Sequence, residues 1–363
     1  MNRKPFKVQA VSQLMETTVD SVRRYVDESG IQVERQSQGP KTRLFTVENL
    51  YELAYWRHFH RERDKAREPV RKQAIATIYA PKGGVGKTTL AYNLASIFPL
   101  LGLRTLVIDL DFQSNLTLAF GYDAELTLDE AIELGLSPKD AVLHHFGDLM
   151  ADWPKGRQAL STVAKTPFGP HGPHLIPADL TLDRLDTMLT YDALEGKRAD
   201  LKIAQLLKEG LDGQNGGLDL SGYDLILFDA APAKNRITRG ALLASDFVVS
   251  PVSMEKFSTK ALSYLSSVLT EMRDQFDRNP ELVIVGNLFD PGRLRVINQM
   301  MTITQEYPHA WLETTIRRSE DFPKMLASEE GLPLVLAKPS SEAAKELYAV
   351  AKALAVRMGL RHG

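Results

Sequence analysis

The stretch APKGGVGKTT, Ala80 to Thr89, gathers three glycines, two lysines and two threonines into ten residues. Backbone N–H groups in a glycine-rich turn can converge on one point, and a helix opening directly after it adds its N-terminal partial positive charge. Such a turn binds phosphate oxygens. Gly83, Gly84 and Gly86, around Val85, allow close backbone approach and unusual dihedrals. Lys87 is placed to reach the β- and γ-phosphates, the Thr88 hydroxyl to coordinate magnesium, and Thr89 to bond the α-phosphate. One position departs from the ordinary pattern. The leading glycine, six residues before the lysine, is replaced by Pro81, and a second lysine, Lys82, follows at once.

For these groups to act together, a strand must precede the loop and a helix must follow it. AIATIY (Ala74 to Tyr79) reads as a buried strand, and TTLAYNLASIF (Thr88 to Phe98) has helical apolar spacing. Further strands are expected at LRTLVID from Leu103, HLI from His174, DLILF from Asp224, DFVVS from Asp246 and LVIVG from Leu282. The segments 122–170 and 179–211 read as mainly helical, and GQNGG (Gly213 to Gly217) as a flexible turn. Apolar strands separated by helices predict an α/β fold, a mostly parallel sheet flanked by helices. Ligands bind outside the carboxyl ends of such strands. Asp109, Asp111 and Asp229 all fall at strand ends on that edge. Asp109 and Asp229 are candidates for the metal, Asp229 through water, and Asp111 could position or deprotonate an attacking water.

Composition narrows the chemistry. The chain of 363 residues contains no cysteine, which excludes disulfides, thiolate metal sites, iron–sulfur clusters and a cysteine nucleophile. No apolar run approaches a membrane span, and the start lacks a signal-peptide core. A cytoplasmic location is expected. Net charge is −2, but residues 1–70 carry more Lys and Arg than Asp and Glu. The charged run HRERDKAREPVRK (His60 to Lys72) offers no apolar face; a helix is expected to run to about Glu68, with Pro69 breaking it. The boundary is placed there, giving an N-terminal unit of residues 1–68 and a main domain of residues 69–363.

The loop KGGVGKTT (Lys82 to Thr89) resembles the deviant Walker A motif of the ParA/MinD family of dimeric P-loop ATPases. VIDLDFQSN (Val107 to Asn115) resembles that family's second motif, with Phe112 where proline is usual. LILFDAAP (Leu225 to Pro232) resembles its Walker B segment, with Ala231 replacing a first proline, and SPVSME (Ser250 to Glu255) resembles the segment after its next strand. The resemblance implies ATP and Mg2+ as cofactors and a nucleotide-sandwich homodimer in which Lys82 reaches the partner's phosphates. It also implies nucleotide contacts by Asn287 and Pro251. A trans cation neutralises charge developing in phosphoryl transfer, which accounts for the added lysine. The absence of cysteine excludes a nitrogenase-type iron protein. The C-terminal EAAKELYAVAKALAVRM (Glu342 to Met358) is rich in Ala and Val, so a helix packed on the sheet is expected rather than a membrane anchor.

Residues 6–59 carry a separate signal. VQAVSQL (Val8 to Leu14) and TVDSVRRYV (Thr18 to Val26) read as two short helices, followed by a polar loop QSQGPK, the stretch RLFT and the helix VENLYELA. This order resembles a MerR-like winged helix-turn-helix, as carried by larger plasmid-type ParA proteins. The resemblance places Arg23 and Arg24 on a recognition helix and Lys41 and Arg43 on a wing against DNA phosphates. Arg293 and Lys324 match basic positions that bind DNA without sequence preference.

The implied function is a DNA partition ATPase associated with the nucleoid, with hydrolysis stimulated by a ParB-like adaptor and with an operator-binding, autorepressing N-terminal unit. Two alternatives stand beside it: a nucleotide-sensing transcriptional regulator, and an ATPase that positions a protein cargo.

Overall fold

The computed structural model describes residues 3–37, 41–60, 73–138, 140–154, 156–213, 217–253, 259–290, 292–326 and 331–362; of residues 259 and 324–326 it describes the backbone alone. Ten strands occur among them: β1 (Phe6–Lys7), β2 (Glu34–Arg35), β3 (Arg43–Phe45), β4 (Ala74–Ile78), β5 (Thr105–Leu110), β6 (His174–Ile176), β7 (Leu225–Ala230), β8 (Phe247–Ser253), β9 (Glu281–Phe289) and β10 (Trp311–Arg317).

The last seven form one sheet in the order β10-β9-β8-β4-β7-β5-β6, and every pair in it is parallel. The inner strands β4, β5, β7 and β8 are mostly apolar and almost wholly buried, as helices on both faces require. The register places Ile78 beside Asp229 and Asp109 beside Asp229, so both carboxylates stand level at one edge. The C-terminal helix Glu342–Arg357 turns Leu347, Tyr348, Val350, Ala351 and Leu354 inward and packs on β10, as its composition predicts.

Two expectations are corrected. Residues 122–170 are not mainly helical; among the described residues they hold only Leu128–Glu133, a 3-10 turn Phe146–Leu149 and Leu160–Val163. Gly135, Gly147, Gly156 and Gly169, with Pro138, Pro154, Pro167 and Pro170, interrupt every apolar run there. Strand β10 is additional to the strands expected. Its sequence WLETTIR is half polar because it lies at the sheet edge, with Leu312 and Ile316 buried. The expected linker helix beyond His60 and most of the turn GQNGG lie outside the described residues.

The N-terminal unit has helices Val8–Leu14, Val19–Ser29 and Val47–His60 with a small antiparallel sheet, β1-β3-β2. The Thr18 hydroxyl caps the second helix by accepting from the Ser21 N–H, and Gly30 closes it at φ 72°. Its apolar residues do not form a core of their own. Val11, Leu14, Val22, Leu50, Tyr51 and Leu53 pack in one continuous cluster with Leu90, Leu94, Phe98, Val335 and Leu354. The buried Tyr51 hydroxyl donates to the Ser96 carbonyl at 2.8 Å, and the Tyr348 hydroxyl donates to the Leu14 carbonyl at 2.7 Å. Tyr55 stacks on His171 with ring centroids 4.1 Å apart.

Candidate nucleotide site

β4 ends at Ile78 and the chain turns through the glycine loop into the helix Lys87–Ile97. Gly84 and Gly86 adopt φ of 68° and 85°, a region that side chains disfavour. At Gly86 a Cβ would also stand 2.5 Å from the Asn287 amide nitrogen. Gly83 differs: its φ is ordinary, and no atom lies within 4 Å of where its Cβ would be. Gly86 caps the helix without a side-chain bond, so its first N–H groups stay available to an anion.

Lys87 is buried and donates to the Lys82 carbonyl at 3.4 Å, while Lys82 and Thr88 are half-buried on the same loop. Asp229 is buried beside Thr88, and its Oδ2 has no hydrogen-bond partner. Burial pushes the Asp229 carboxyl well above the ordinary carboxylate range; Asp109 adds to this, and Thr88 and Lys87 oppose it. Burial likewise lowers the Lys87 ammonium, against the pull of Asp229 and Asp111. An orphaned carboxylate oxygen beside a hydroxyl and a desolvated lysine fits a magnesium phosphate. The cation would take Thr88 and Asp229, directly or through water, and the phosphates would take Lys87 and the loop. Among the described residues no group of three His, Cys, Asp or Glu side chains could hold a metal.

The other carboxylates behave differently. Asp109 is buried with both oxygens engaged: Oδ1 accepts from the Asp111 N–H at 3.1 Å, and Oδ2 from the Thr117 N–H and hydroxyl at 2.9 and 2.7 Å. Burial outweighs these bonds and pushes its carboxyl up to about 6. Asp111 is half-buried just beyond the end of β5, its Oδ1 accepting from the Gln113 N–H at 3.0 Å. Asn287, at the end of β9, donates to the Val85 carbonyl at 2.8 Å and so braces the loop. It also lines a pocket of about 210 Å³ with Gly84, Gly86, Thr89, Leu90, Ile316 and Phe322. Pro251, on β8, lies in a different pocket, beside Pro81, Lys82 and Val85.

The basic residues expected at DNA divide into groups. Arg23, Lys41 and Arg43 line one cleft of about 410 Å³ together with Arg35, which sequence reading does not single out. Arg35 pairs with Arg43 across β2 and β3, a register no local pattern reveals. Arg43 bonds Asp27 at 2.5 Å and the Arg23 carbonyl at 3.2 Å, tying the small sheet to the second helix. Arg24 does not line that cleft; it lies 3.9 Å from Glu28. Arg293 is exposed, 3.0 Å from Asp290, just before the helix Leu294–Glu306. The Lys324 side chain lies outside the described residues. Among them, no helix is long and apolar enough to cross a membrane.

Residues 73–284 match the AAA domain family, more than half of the chain. The chromosome-partitioning ATPase Soj of Thermus thermophilus is 32% identical over 223 residues, covering 61% of this chain and 70% of Soj. The cell division protein PomZ of Myxococcus xanthus is 25% identical over 337 residues, 93% of this chain and 92% of PomZ. In fold, the chain is similar to cobyrinic acid a,c-diamide synthase of Mycobacterium smegmatis, solved with bound ADP and magnesium. That match has a TM-score of 0.58 at 19% identity over 78% of this chain and 95% of the other. With its parallel sheet and phosphate loop, the chain belongs to the AAA domain family and, within it, to the ParA/MinD family.

Proposed function

We propose that the chain is a DNA partition ATPase that binds ATP with Mg2+, dimerises around it and holds DNA in the dimeric state. The observation that carries this reading is the cluster of Lys87, Thr88 and Asp229, in which the buried charges offset each other only in part and one Asp229 oxygen has no partner. Lys82, on the loop but not at its centre, is the cation offered to a partner subunit. Asp111 orients the attacking water. Hydrolysis, stimulated by a ParB-like adaptor, releases the DNA. The cleft of Arg23, Arg35, Lys41 and Arg43 supports a winged helix-turn-helix that reads an operator. Arg293 and Lys324 are the candidate non-specific phosphate contacts.

Binding to a random-sequence duplex tests this, with ATP·Mg, ADP·Mg or no nucleotide, across a salt series. Tight, steeply salt-dependent binding only with ATP, lost in Lys82→Ala, is the expected result. Binding indifferent to nucleotide would instead favour a regulator acting through the N-terminal unit. The match to PomZ over nine-tenths of both chains supports a second reading, the positioning of a division or other protein cargo along DNA. Under that reading the operator cleft is dispensable for movement and the ATP-gated DNA binding is not.

A further inference from the structure

We propose that Thr117 is a positioning residue of the nucleotide site, acting through Asp109 to set Asp111. The inference rests on the reading of this site as one that hydrolyses ATP. Thr117 is fully buried in the short helix Asn115–Ala119, and nothing in its own neighbourhood of sequence marks it. Its backbone N–H and its hydroxyl both donate to Asp109 Oδ2, at 2.9 and 2.7 Å. The same hydroxyl oxygen accepts from the Ala178 N–H at 2.9 Å, just beyond the end of β6. One oxygen thus joins the β5 end, the β6 end and the helix after the Asp111 turn.

The other Asp109 oxygen holds the Asp111 N–H. The turn then closes on itself: the Ser114 N–H donates to the Asp111 carbonyl at 2.8 Å, with Ser114 at φ 54°. A non-glycine residue in that region persists only where its surroundings over-determine it. Asp109 supplies that constraint, and Thr117 in turn fixes the Asp109 carboxylate. Two donors on Oδ2 and one on Oδ1 leave Asp109 poorly placed to ligate a cation. Asp229, with a bare oxygen, is better placed. The structure therefore assigns Asp109 and Thr117 to geometry and Asp229 to the metal.

The test compares Thr117→Val, which keeps the shape and removes the hydroxyl, with Thr117→Ser, which keeps the hydroxyl. Thr117→Ala is the second hydroxyl-free variant, should valine not fold. Steady-state ATP turnover and hydrogen exchange of the 110–116 segment are measured on each full-length protein. The hydroxyl-free variant is expected to lose about 10-fold or more in kcat with KM for ATP within about 3-fold, and serine to restore it. Adding the hydroxyl-free substitution to Asp111→Asn is expected to cause little loss beyond that of Asp111→Asn alone, because the two act as one unit. The 110–116 segment is expected to exchange faster in the hydroxyl-free variant alone, with the helix Lys87–Ile97 unchanged. Unchanged exchange of that segment, a serine variant as impaired as valine, or full additivity with Asp111→Asn would each overturn the proposal. If the wild-type protein does not turn over ATP, the hydrolytic reading fails, and the exchange arm alone still decides the positioning role.

Discussion

The edge of the sheet and the surface of the N-terminal unit both concentrate charge, and they hold it in opposite ways. At the edge, Lys87, Asp109 and Asp229 are buried, and Asp229 has an oxygen with no partner. On the N-terminal unit, Arg23 and Arg24 are exposed and bonded to acids on their own helix, while Arg43 reaches Asp27. Burying a charge is costly unless it is compensated, whereas an exposed ion pair contributes little either way. The edge is therefore a site whose electrostatics are incomplete without a ligand. The N-terminal surface is complete alone and can exchange its pairs for phosphate at small cost. Beneath it, the same unit contributes apolar residues to the core of the whole molecule.

Four experiments sharpen or break this contrast. The largest effect is expected under the N-terminal surface. Tyr51→Ala should destabilise the protein by about 3–5 kcal/mol in denaturant unfolding, and Tyr51→Phe, which removes only the bond to Ser96, by about 1 kcal/mol. A loss below about 1 kcal/mol in Tyr51→Ala would show that the two parts do not share a core. Next, Lys87→Ala should lower ATP turnover by about 10²–10³-fold while leaving the melting temperature of the free protein nearly unchanged. Large destabilisation there would make Lys87 a structural residue.

The third concerns pH. A carboxyl whose folded pKa lies above its unfolded value of about 3.9 contributes stability that is fully present below that value and is lost as pH rises through the folded pKa. Asp229 is raised well above the ordinary range, so Asp229→Asn should raise the melting temperature of the ligand-free protein by about 2–4 °C at pH 8 and leave it unchanged at pH 4. The loss that remains near pH 6 belongs to Asp109, whose carboxyl stands at about 6. Equal shifts at both pH values would remove the electrostatic explanation. The smallest effect is on DNA. Arg23→Ala should reduce the slope of log affinity against log salt by about 1, and Arg24→Ala, outside the cleft, should leave it unchanged. Equal slopes in the two variants would erase the distinction drawn between them.

The legible and illegible parts of the molecule differ for a physical reason. The phosphate loop is readable because its chemistry is local: Gly84 and Gly86 need their dihedrals, and Lys87 and Thr88 follow in a fixed order. The inner strands are readable because burial on both faces leaves continuous apolar runs. Edge strand β10 escapes such reading because half of its residues face away from the core. The segment 122–170 misleads because apolar content without uninterrupted period does not make a helix. Thr117 and Arg35 are invisible for a third reason: each is defined by a partner on another element, Asp109 and Ala178 for one and Arg43 for the other. Asp109 is recognisable as a carboxylate at the correct edge, and only the hydrogen bonds distinguish it from Asp229.

The interlocking of the first sixty residues with the main body also limits how such a protein can diversify. His58 lies against Gly102, where a Cβ would come within 2.7 Å of its ring, and Glu48 lies equally close to Gly169. A unit fitted this closely cannot be exchanged between relatives as a cassette, because a foreign copy would arrive with the wrong knobs for these holes. What the surface recognises would have to change one exposed side chain at a time, on a backbone that the rest of the chain holds still.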